Sequence, residues 1–131
     1  MKYRLRLSIY IAVLYFYTVI SAAAELTVPF GLPEPPDAKL AISDVYDSPS
    51  GDREEWIARF GTKASRPDII TFYRNALEEV GFEIYSSSDK PNYAMVAAKR
   101  DDDRITIYFR NQSDWVEADE SEVSINAKYN K

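Results

Sequence analysis

The chain contains no cysteine and no histidine, and only four of its 131 residues are glycine. Without cysteine there is no disulfide, no thiol nucleophile and no lipid attachment at an export leader, so the fold must be held by burial alone. Without histidine the Ser-His and Cys-His nucleophile systems, the usual zinc sites and the commonest general base near neutral pH are excluded. No phosphate-cradling glycine loop is present. An enzyme built from this sequence would have to run on carboxylates, Lys, Tyr or Arg. No cofactor and no metal site is expected.

What is present begins with an address. Lys2, Arg4 and Arg6 form a cationic start, and Leu7 to Ala24 follows without a charge, closing on Ala22-Ala23-Ala24. Small residues at that place suit signal peptidase, so residues 1–24 read as a signal peptide with Glu25 as the mature N-terminus. The alternative is an uncleaved anchor, since 18 uncharged residues sit at the lower limit for a bilayer core of about 30 Å. The expected location is therefore exported, periplasmic or secreted, with inner-membrane anchoring as the alternative. A cysteine-free exported domain of this size fits a bacterial source. Beyond residue 24 there are 13 basic and 21 acidic side chains, a net charge of −8. Such a surface is repelled by nucleic acid and by anionic membranes, so neither is an expected partner; a membrane enters only if the leader stays attached.

Residues 25–37 hold four prolines and read as an extended lead-in rather than a packed element. Residues 38–131 form one α+β domain. Lys39 to Tyr46 alternates as a first strand, and Glu54 to Thr62 as a second with Trp56, Ala58 and Phe60 on one side. Ser65 is a good N-cap; Ile69, Phe72, Tyr73, Ala76, Leu77 and Val80 then follow helical spacing, and Gly81 supplies a left-handed stop. A short strand, Phe82 to Ser86, comes next, with Ser86 to Asn92 as a loop. Tyr93 to Arg100 is apolar on both sides and leaves its facing open. Asp101-Asp102-Asp103 turns a hairpin into Arg104 to Arg110, residues 111–122 make an acidic loop around Trp115, and Val123 to Tyr129 is the last strand. The expected fold is one helix packed on one face of an antiparallel sheet, order β-β-α-β-β-β-β, burying its stripe on Trp56, Phe60, Phe82, Ile107 and Ile125.

Three stretches carry a family resemblance: P-x-P-P-x-A-K from Pro33 to Lys39, F-x-T from Phe60 to Thr62, and S-x-P-x-I-x-x-F-Y-R-x-x-L-x-x-x-G-F from Ser65 to Phe82. The chain resembles a group of small exported bacterial α+β domains in which a helix of the form FYRxxLxxxGF separates two antiparallel halves. The resemblance implies fold and compartment, and no site residues.

Candidate chemistry is thin. The sheet face opposite the helix would carry Ile57, Arg59, Tyr85, Thr106, Tyr108, Arg110, Asn126 and Lys128, an aromatic and basic platform inside an acidic protein. Tyr and Arg are favoured at interfaces because they bury large area and keep a polar handle. A solvated sheet face would show the same residue types, since Tyr and Thr are good strand formers. The acidic run Asp114 to Glu122 around Trp115 lacks the alternating ligands and central glycine of a calcium loop and reads as a solubilising loop. Ser87-x-x-Lys90 matches a penicillin-recognising motif in letters only. Glu54–Glu55 and Glu78–Glu79 cannot face each other across a cleft as a glycosidase pair must. The leading expectation is a non-enzymatic exported interaction domain that binds a protein or peptide of the cell envelope, with partner-binding residues Arg59, Tyr85, Tyr108, Arg110, Lys128 and Trp115. An inhibitor or immunity protein against an envelope-targeted enzyme is second, and a small carboxylate or Tyr enzyme third.

Overall fold

A computed structural model describes residues 26–131 of the chain. The leader expected over residues 1–24 lies outside the described residues. Among the described residues, no helix is long and apolar enough to cross a membrane.

Six antiparallel strands form a single sheet: β1 (Ala38–Asp47), β2 (Arg53–Thr62), β3 (Glu83–Lys90), β4 (Tyr93–Arg100), β5 (Asp103–Arg110) and β6 (Ser121–Asn130). Their spatial order is β1-β2-β6-β5-β4-β3. The hairpin β1–β2 and the meander β3 to β6 meet at a seam between β2 and β6, where Trp56 lies opposite Ala127 and Phe60 opposite Val123. One helix, α1 (Arg66–Glu79), lies between β2 and β3 in sequence. Its 14 residues run about 21 Å, long enough to carry the chain over the four strand spacings, about 19 Å, that separate those strands.

This architecture corrects the expected one in its balance. Among the described residues the fold is mostly sheet, six antiparallel strands in one sheet with one helix inserted after β2, rather than the helix-and-sheet order β-β-α-β-β-β-β with its short strand after the helix. The strand after the helix is not short: β3 has eight residues, as many as β4 and β5. Ser86 to Lys90, expected as loop, pairs residue by residue with Ala97 to Tyr93. A serine-rich stretch with no apolar alternation takes up strand geometry because β4 supplies the ladder. The helix packs chiefly on β3, β4 and β5, whereas the expected stripe also rested on Trp56 and Phe60 of β2 and Ile125 of β6.

The helix begins where its cap allows. Ser65 Oγ accepts the Asp68 backbone N–H at 3.3 Å, with Pro67 in the first turn. Gly81, at φ +85°, ends it in the left-handed region where a side chain is strained. Ile69, Tyr73 and Leu77 are completely buried in one core cluster with Phe109, Ile107 and Ile105 of the sheet. Burial of each such side chain stabilises by about 1.5–3 kcal/mol, which lets the core hold without disulfides. Burial also pushes the Tyr73 phenol well above its ordinary value, so it stays neutral.

The lead-in is a packed element, contrary to expectation. Val28, Leu32 and Pro35 are buried, and Pro29–Gly31 makes a 3₁₀ turn. Phe30 takes φ +67°, an uncommon conformation for a bulky residue. Its ring is held 5.0 Å from Phe82 and 5.7 Å from Tyr129, with the Arg100 guanidinium 5.4 Å above it. Two hydroxyls bind the stretch that follows: Tyr73 donates to the Pro33 carbonyl at 3.1 Å and Thr62 to that of Pro36 at 2.8 Å.

Candidate functional site

Strand register places side chains in rows across the face that the helix does not cover. One row runs Lys99, Arg104, Lys128, Glu55 across β4, β5, β6 and β2. The next holds Ala97, Thr106, Asn126 and Ile57, then Met95, Tyr108, Ser124 and Arg59, then Tyr93, Arg110, Glu122 and Gly61. The face therefore has a cationic end and an aromatic end, joined by small and polar residues.

At the aromatic end the loop after β5 folds back across the sheet and buries Glu122, which is only 1 % exposed. Arg110 Nη1 donates to its carboxylate at 2.8 Å, Ser113 Oγ and Ser124 Oγ each at 2.6 Å, and Arg59 Nη1 lies 3.6 Å away. Burial alone would push this carboxyl up, but the two hydroxyls and the Arg110 guanidinium together outweigh it and hold the group below its ordinary value. Trp115 closes the cluster, its ring 4.9 Å from the Arg59 guanidinium and its backbone N–H donating to Ser113 Oγ. Glu120 is buried beside it against Gly61, where an added Cβ would sit 2.6 Å from the Glu120 Oε1. A side chain at that position would make the Glu120 carboxylate shift. Arg110 also lies over Tyr108 and Tyr93, at 5.3 and 5.9 Å, and the two rings are 6.0 Å apart. Beside Tyr93 and Arg110 opens a cleft of about 430 Å³.

At the cationic end, Lys99, Arg104 and Lys128 stand directly opposite one another on neighbouring strands. Like charges so placed destabilise a sheet. None of the three has a carboxylate oxygen within ion-pair distance among the described residues. Arg104 is fixed by donating to the carbonyls of Asp101 and Asp103 at the β4–β5 turn. Glu83 and Glu55 bound the row beyond Lys99 and Lys128.

Of the residues that the sequence singled out, Arg59 and Arg110 meet Glu122, Trp115 lies against Arg59 and Tyr108 against Arg110. There Arg59 and Arg110 are engaged within the molecule. Lys128 lies at the other end of the same face, and Tyr85 projects from a bulge in β3, 54 % exposed, with the Lys99 ammonium 5.9 Å from its ring. Sequence reasoning missed Tyr93, Lys99, Arg104 and Glu122. The first two sit on the strand whose facing was left open. Arg104 falls at a strand start, and Glu122 reads as the end of the acidic loop although its alternation with Ser124, Asn126 and Lys128 marks it as strand. In the acidic loop itself, the Glu117 N–H and the Lys39 ammonium, at 3.1 and 3.7 Å, both meet the Glu120 carboxylate.

A family model described as START domain-like matches residues 42–127, from β1 into β6. No curated protein matches the chain, and no solved structure does. With the greater part of its sequence matched, the chain belongs to the START domain-like family.

Proposed function

We propose that this START domain-like chain is a non-enzymatic, exported bacterial interaction domain. Its open sheet face holds an acidic, tyrosine- or phenylalanine-bearing segment of a protein or peptide in the cell envelope. The single observation that carries this reading is the row Lys99, Arg104 and Lys128, three cross-strand like charges in a chain with net charge −5. Glu83 and Glu55 offset the repulsion at the two ends of the row, and an anionic partner would relieve what remains around Arg104. Tyr108 and Tyr85 add contact area beside the row. Membership of the family supports a ligand-binding fold. The space between helix and sheet is filled by Phe60, Tyr73, Leu77 and Ile107, all fully buried, which directs binding to the outer face. The compartment rests on the leader-like sequence before Glu25.

The test is anisotropy titration of a labelled peptide of alternating Glu and Tyr, run beside capture of envelope proteins on the same immobilised chain. Micromolar binding that weakens as salt rises, and that Lys99→Glu with Lys128→Glu abolishes, is expected. Binding unaffected by the double substitution would refute this reading. A second reading, an inhibitor of a basic envelope enzyme, is favoured by the net charge, because an acidic inhibitor gains association rate. It requires an enzyme partner whose turnover falls on mixing.

A further inference from the structure

We infer that the free edge of β1 pairs with β1 of a second copy, extending the sheet across a twofold axis. β1 is ten residues long, hydrogen-bonded on one side only, and exposed at nine positions. Four of the six large apolar side chains exposed among the described residues stand on it: Leu40, Ile42, Val45 and Tyr46, at 40 to 51 %. Natural edge strands are blunted by proline, charged side chains, bulges or brevity, and a long apolar edge is a pairing template. This strand has no proline, and its one lysine, two aspartates and the bulge at Ala41 leave Leu40, Ile42, Val45 and Tyr46 exposed.

The register tells what fits. The bulge at Ala41 puts Leu40 opposite Phe60 and Val45 opposite Trp56, on the helix side, and leaves Lys39, Ile42 and Asp44 on the open face. An antiparallel second copy with Ile42 on the twofold sets Lys39 opposite Asp44 of the second copy, twice by symmetry. Leu40 then faces Ser43, and Ala38 faces Val45, so every pair shares a side of the sheet. The strand is its own charge complement. A slide that set the two Asp44 side chains opposite each other would be repulsive. Asp44 accepts the Val45 N–H and the Tyr46 hydroxyl at 2.9 Å each, contacts within its own strand that pairing with Lys39 of the second copy must share or replace. Lys39 has only loose partners, Glu117 and Glu120 at 3.9 and 3.7 Å. One added strand buries less than a standard interface, so a dissociation constant on the order of 10 µM is expected.

The experiment is sedimentation velocity of the full-length chain, produced with its own leader, across about 1 to 200 µM. A monomer–dimer equilibrium is expected, weakened roughly tenfold or more by Asp44→Lys and recovered in Lys39→Glu/Asp44→Lys. Lys99→Glu with Lys128→Glu should leave it unchanged, which separates it from peptide binding on the open face. A monomer throughout the range, or a dimer that Asp44→Lys does not weaken, overturns the pairing.

Discussion

Glu122 shows how one residue organises a face. A carboxylate 1 % exposed is tolerable only because two hydroxyls and a guanidinium donate to it. Since its folded value lies below the ordinary 4.5, it adds stability above that pH, and that share is lost as pH falls through the folded value. Glu122→Gln keeps the shape and removes the charge. It should cost about 1.5–3 kcal/mol at pH 7 and flatten the fall in stability below pH 4.5, read by urea titration at several pH values. An unchanged acid limb would show that other carboxylates govern it. Gly61→Ala acts on the neighbouring Glu120 instead, whose carboxylate must shift to clear the new methyl. These residues were illegible in the sequence for a physical reason. An acid within an acid-rich run reads as solvated, and only the fold-back of the loop over Gly61 and Arg59 buries it.

At the scale of elements, legibility followed periodicity. The helix could be read to its ends, since Ser65 and Gly81 mark them chemically and Ile69, Tyr73 and Leu77 mark its face. β2, β5 and β6 were readable from alternation to within two residues. β3 was not, because Ser86 to Lys90 carries no apolar pattern and its partner strand decides its conformation. Arg100 is the contact that ties these elements together. Its Nη1 donates to the Val80 carbonyl at the helix end at 2.7 Å, its Nη2 meets Asp103 at 3.3 Å, and its guanidinium lies 4.6 Å from the Phe82 ring. Arg100→Ala leaves that carbonyl without its donor and strips the cation from two rings. A loss of about 2 kcal/mol is expected, larger than the roughly 1 kcal/mol for removing the helix cap with Ser65→Ala. Thermal unfolding of the two variants would check the order, and the reverse order would demote Arg100 to a surface charge.

For the whole molecule, the lead-in changes what counts as the domain. Four prolines between residues 25 and 37 read as an extended, unpacked lead-in, and proline does deny this stretch a place in the sheet. It does not deny it a place in the core. Val28 and Leu32 are 4 and 5 % exposed, and Phe30 bridges Phe82, which follows the helix, and Tyr129 of β6. That bridge joins the two chain regions farthest apart in sequence among the described residues, and it holds Phe30 in a left-handed conformation worth about 1–2 kcal/mol of strain. Packing must exceed that strain for the turn to persist. Phe30→Ala should therefore destabilise the domain by less than the 3–5 kcal/mol usual for a core phenylalanine, since part of the loss is returned by relaxing the turn. Phe30→Gly should recover some of it, because glycine accepts φ +67° without strain. Urea unfolding of both variants decides the matter. A glycine variant less stable than the alanine variant would mean that the backbone there is not strained, and that the lead-in is held by its hydroxyl contacts at Pro33 and Pro36 instead.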